Sequence, residues 1–216
     1  MINARNVKKI LALVDQGLSH GLGKPEPGKM CVEAAVCSVL EGRHGDDPAC
    51  VGSAVREFKI NLNDQNWSTN AARAAGLRRL AIAQLGSDTI SQEDFVAALA
   101  LGTVTEILPL VLPAGKERDR CAAATTLKEA RSAADAAVGV GGNDVGDAAE
   151  AAYRAVAYPT GRTIADAIAD AAFAAYAYAN APAADDHIRC ASAELAVQIL
   201  ISMNCPGTKF LKLTEE

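Results

Sequence analysis

The sequence predicts an all-α protein, a multi-helix bundle of about eight to nine helices whose second half is rich in alanine. Three observations carry this. Half of the 216 residues are apolar while only 4% are aromatic, a composition suited to helices packed closely through small side chains rather than to sheets. Apolar residues recur at the i, i+3, i+4, i+7 spacing of one helical face, as at Val7, Ile10, Leu11 and Val14. Glycine and proline collect between the periodic segments instead of within them. A chain of this length and apolar content can bury a substantial core.

The first helix is expected from about Ala4 to Leu18. A stiff loop follows over residues 19–29, in which Gly21, Gly23 and Gly28 provide backbone freedom and Pro25 and Pro27 fix φ. A second helix begins at Met30 and stops at Gly42. Asp47 before Pro48 is the expected cap of a third helix, carried by Val51, Val55, Phe58 and Leu62. The amide-rich connection from Asn61 to Asn70 holds the single tryptophan, and Ser68 or Thr69 caps the next helix, Ala71 to Leu85. Ser91 opens another with the capping-box form, which Pro109 and Pro113 kink or end.

A sixth helix is expected over Lys116 to Val138 as one piece. The glycine-rich run 139–144 is the best candidate boundary, dividing the chain into 1–138 and 145–216 or lying within one continuous domain. Three helices follow, at about Val145–Ala157, Thr163–Asn180 and Asp185–Asn204, the last halted by Cys205, Pro206 and Gly207. The tail should dock through Phe210, Leu211 or Leu213.

The net charge of −5 argues against general nucleic-acid binding, which needs a basic excess. No apolar run approaches the roughly 20 residues of a membrane span. The six cysteines, at 31, 37, 50, 121, 190 and 205, show no paired CxxC spacing, so reduced thiols and a cytoplasmic location are expected. Cys31, Cys37, His44 and Cys50 lack a standard zinc spacing, and neither a metal nor a cofactor is expected. Asp166 and Asp170 lie one turn apart on a helix, as a solvated face or as a pair able to hold a cation or amine. Tyr153, Tyr158, Tyr176 and Tyr178 suit core or interface gaps.

Three functions compete for the polar stretches. In the first, a non-enzymatic binding module holds a small anionic, nucleotide-like molecule. His20, Lys24, Lys29 and the free amides of the second helix supply charge and donors. Arg73 and Arg78 approach from the fourth helix, and Asn66, Trp67 and Asn70 stack on or hydrogen-bond a base or ribose. In the second, Cys31 near a helix amino end is a nucleophile with His20 or His44 as base, an order similar to papain-like hydrolases but without the strands that carry their partner residues. In the third, alanine-rich helices assemble a structural homo-oligomer.

The run Gly-Lys-Pro-Glu-Pro-Gly-Lys-Met-Cys-Val-Glu-Ala-Ala-Val-Cys from Gly23 to Cys37, and Asn-Trp-Ser-Thr-Asn-Ala-Ala-Arg-Ala-Ala-Gly-Leu-Arg-Arg-Leu-Ala from Asn66 to Ala81, resemble a family of proteins from phage and bacterial genomes to which no activity is attached. The resemblance covers residues 20–86 well and the alanine-rich half loosely. It implies a phage accessory role against host defence, such as sequestration of a nucleotide-derived signal in the host cytoplasm.

Overall fold

A computed structural model describes residues 2–179 and 182–215. Among them are ten α-helices and one π-helical segment, eleven helices against the eight to nine expected, and no strand. The chain groups into two compact units, Met1–Phe95 with Ala196–Glu216, and Val96–Leu195. The glycine-rich run 139–144 lies inside the second unit, and the carboxy-terminal segment belongs with the first helices.

In the first unit, α1 (Ala4–Val14) starts at Asn3, whose side chain accepts the Asn6 N–H at 3.0 Å, and buries Val7, Ile10, Leu11 and Val14. It ends at Val14 instead of Leu18. Gly17 turns the chain at φ +103° and the Leu18 N–H goes to the Asn70 carbonyl, so Leu18 is buried outside the helix. α2 (Val32–Glu41) starts two residues after Met30 because Cys31 takes the cap position, and it closes on left-handed Gly42. α3 (Ser53–Asn63) begins after Gly52 without a side-chain cap. The Asp47–Pro48 signal is spent on a separate turn, where the Val51 N–H reaches the Pro48 carbonyl. Thr69 caps α4 (Asn70–Ala83), its hydroxyl accepting the Ala72 N–H at 2.9 Å.

A 3-10 segment, Pro206–Thr214, packs on α4 and closes this unit. Leu211 is the expected tail anchor that is buried there. The approach is close enough that a Cβ on Gly207 would lie 2.2 Å from the Ile82 carbonyl oxygen and 2.8 Å from those of Ala83 and Leu85.

α5 (Gln92–Gly102) runs from the first unit into the second, with Ser91 accepting the Asp94 N–H at 3.1 Å. It continues as the π-helical Thr103–Ile107, where the Thr103 hydroxyl donates to the Leu99 carbonyl, and then as a 3-10 turn, Leu108–Leu110. Pro109 cannot donate to the helical ladder, which accounts for the change of winding. The expected single helix 116–138 is two, α6 (Lys116–Ala122) and α7 (Leu127–Ala137). Thr126 and Glu129 form a reciprocal capping box, and this starts a new helix inside an otherwise helical composition.

α8 (Asn143–Ala157) and α9 (Gly161–Ala179) form the most extensive helix pair among the described residues, with Ala148, Ala152 and Ala155 buried on one and Ile164, Ala167 and Ile168 buried on the other. α10 (Pro182–Ser202) returns the chain to the first unit. Tyr153 is partly buried with the Arg131 guanidinium 4.8 Å over its ring, whereas Tyr158 is exposed. The side chains of Tyr176 and Tyr178, and the expected helix end at Asn180, lie outside the described residues.

Gly207→Ala should therefore destabilise the protein by about 1–3 kcal/mol, because a methyl group would have to displace backbone carbonyls. Gly139→Ala, with nothing within 4 Å of the added Cβ, should be near neutral. Urea midpoints at constant slope test the pair, and equal midpoints would refute the packing of the tail on α4.

Candidate functional site

Loop 19–30 has a defined shape. Gly21, Gly23 and Gly28 all take positive φ, Gly23 bridges Met30, and the Ser19 and Lys24 amides donate to the Met30 and Lys29 carbonyls. The loop is tied to the end of α3, since the Gly21 N–H donates to Asp64 Oδ1 at 2.8 Å and Asn63 Nδ2 donates to the Ser19 carbonyl at 3.0 Å. The two polar stretches are thus brought together.

The side chains expected to serve a ligand there are largely engaged by the protein itself. Arg73 is buried, and its guanidinium donates to the carbonyls of Asn63 (2.8 Å), Leu18 (3.0 Å) and Gln65 (3.4 Å) and to Asn70 Oδ1 (2.7 Å). Asn70 is thereby occupied as well. Trp67 is buried with Nε1 donating to the Leu62 carbonyl. Arg78 holds Asp15 at 2.7 Å and donates to the Thr214 carbonyl. Lys29 pairs with Glu26 at 2.6 Å on the surface, and His20, Lys24 and Asn66 are exposed.

Cys31 does not have the setting of a nucleophile. It is buried, and its Sγ accepts the Ala34 N–H at 3.3 Å as the cap of α2. Burial pushes its pKa up, more than the Ala34 amide and Lys59 pull it down. The other five thiols are also shifted up by burial, Cys37, Cys121 and Cys205 to about 11. No hydrogen bond joins Cys31 to His20 or His44, and His44 Nε2 lies 3.3 Å from the Gly23 carbonyl oxygen. Among the described residues no group of three or more His, Cys, Asp or Glu side chains is placed to hold a metal ion. Burial raises the pKa of Asp170, and its neighbour Asp166 is exposed.

Sequence reasoning overlooked a fully buried ion pair, Lys59 Nζ to Glu33 Oε1 at 2.7 Å, with Gln84 Nε2 donating to Glu33 Oε2 at 3.3 Å. Burial drives both members toward neutrality, Glu33 upward and Lys59 downward, while each holds the other's charge in place. The signal was present, since Lys59 stands four residues after Val55 and three before Leu62, on the apolar face of α3. The pair borders a cavity of about 30 Å³ with Leu22, Cys31, Asn63 and Asp64. That is room for one or two waters, and three carboxylates, Glu33, Asp46 and Asp64, outnumber the one lysine around it. A phosphate does not fit there.

The second unit holds a cavity of ligand size, about 560 Å³. The chain crosses from Leu110 to Ala114 with prolines at 109 and 113, and alanines of α9 and α10 line the space beside it. Leu112, Val145, Ala174 and Ile188 are buried in its walls. Arg118 of α6 and His187 of α10 are its only polar side chains among the described residues. Both are exposed and neither has a hydrogen-bond or ion-pair partner there. Composition alone gave no sign of this site, because an alanine on a helix reads the same whether it meets another helix or a void.

No protein-family model, curated protein or solved structure matches the chain.

Lys59→Met should cost about 3–5 kcal/mol by leaving Glu33 buried without its counter-charge, and Glu33→Leu added to it should recover most of the loss. Urea unfolding of both variants measures this. A double variant no more stable than the single one would show that the pair is not coupled. Native protein at pH 8 should also react with iodoacetamide much more slowly at Cys31 than unfolded protein does, and fast alkylation would restore the thiolate reading.

Proposed function

We propose that the protein binds and holds a small anionic molecule without transforming it, and that the binding site is the cavity of the second unit. The observation that carries this is the pairing of buried apolar walls with an arginine and a histidine that have no protein partner among the described residues. Ligand sites are typically concave and mostly apolar, with a few polar groups fixing orientation. A cation left without an acceptor at such a site gains most from an incoming carboxylate or phosphate. In the first unit, by contrast, Arg73, Arg78 and Lys29 already have acceptors. Sequestration fits this arrangement better than thiol chemistry, because every cysteine is shifted toward the unreactive thiol.

Native mass spectrometry of protein taken from cells tests the reading. A retained small anion is expected, lost from the double variant Arg118→Gln, His187→Gln and kept by Lys24→Gln. Loss on Lys24→Gln alone would move the site to loop 19–30, and absence of any retained anion would argue against sequestration.

A further inference from the structure

Resting on that reading of the second-unit cavity, we infer that its ligand is a long aliphatic chain ending in a carboxylate, not a nucleotide. The walls decide the body of the ligand. They are built from leucine, valine, isoleucine, proline and alanine side chains, with no phenylalanine, tyrosine or tryptophan on which a base could stack among the described residues. Among the described residues they also present no Asn, Gln, Ser or Thr side chain to read the polar edges of a base or the hydroxyls of a ribose. Against these described walls a nucleobase would lose its water without gaining partners. A saturated chain pays no such cost, since each methylene buried against aliphatic walls contributes about 0.8 kcal/mol.

The head group follows from Arg118 and His187. A guanidinium presents paired N–H donors that match the two oxygens of a carboxylate. Arg118 stands in α6 beside Glu117 and Asp119 yet makes no ion pair with either, so its donors are available to a ligand. Arg118 and His187 are exposed while Leu112, Val145 and Ile188 are buried, so the carboxylate lies at the open side and the chain runs inward. The polarity of the site is therefore that of a soap molecule, with an apolar body and one anionic end.

Calorimetric titration of the full chain with dodecanoate, dodecylammonium and adenosine monophosphate separates the possibilities. One dodecanoate per chain is expected, with dodecylammonium and the nucleotide at least tenfold weaker. Arg118→Gln should weaken dodecanoate about tenfold, the loss of one charge-assisted hydrogen bond. Ala174→Phe, which fills the cavity, should abolish binding. Ala175→Phe, at a half-buried wall position, serves if the first variant does not fold. Equal binding of the two amphiphiles, or dodecanoate binding unchanged in the cavity-filling variant, would overturn the inference. Arg118-dependent binding of the nucleotide without dodecanoate would also overturn it while leaving the sequestration reading intact. If no probe binds and the native mass spectrum shows no retained anion, both fail.

Discussion

The first unit depends on one guanidinium. Arg73 stands in the first turn of α4, and its donors reach the carbonyls of Leu18, Asn63 and Gln65 and the side chain of Asn70. It thus joins the exit of α1, the end of α3 and the start of α4 at a single buried point. Helix ends present carbonyls without intrahelical partners, and burying them is costly unless donors are supplied. Arginine is the side chain with enough donors, in a rigid fork, to serve several at once. Its position near a helix amino end would be unfavourable for a free cation, but here the oxygens of the preceding segments balance it. The dense polar stretches 19–29 and 61–70, whose purpose the sequence left open, acquire one from this clasp. They supply the backbone oxygens and amides that lock the loop to the helices.

The helical class and most element starts were legible because they are local. Asn3, Thr69 and Ser91 act as caps within three residues of themselves, and the stripe Val7, Ile10, Leu11, Val14 needs only the helical period to be seen. What was not legible depends on tertiary partners. The end of α1 at Val14 is set by a hydrogen bond from Leu18 to Asn70, far along the chain. The break between α6 and α7 was visible in principle, since Thr126 and Glu129 have the capping-box spacing, but the alanines around it mask the signal. Arg73 and Lys29 look alike as basic residues near helix starts, and only the fold buries one and exposes the other.

Cysteine illustrates the same point in chemical terms. A thiol at a helix amino end is a nucleophile when the helix amides and a nearby cation stabilise its charge faster than burial penalises it. At Cys31 the amide of Ala34 and the charge of Lys59 are both present, and burial still dominates. Lys59 is committed to Glu33 at 2.7 Å, so its field at the sulfur is partly offset by its own partner. The residue acts as a cap and a small buried apolar group.

Alanine has opposite consequences in two parts of the second unit. Along α8 and α9 many alanines are buried and the two helices pack closely. Near Ala174 and Ala175 the same residue type faces the irregular crossing 110–114, whose course Pro109 and Pro113 restrict. A cavity of about 560 Å³ lies between them. Filling it with one larger side chain would be a simple route to greater stability. The cavity instead carries an arginine and a histidine without a partner among the described residues beside its apolar walls, an arrangement that gives folding little and matches the amphipathic anion proposed above.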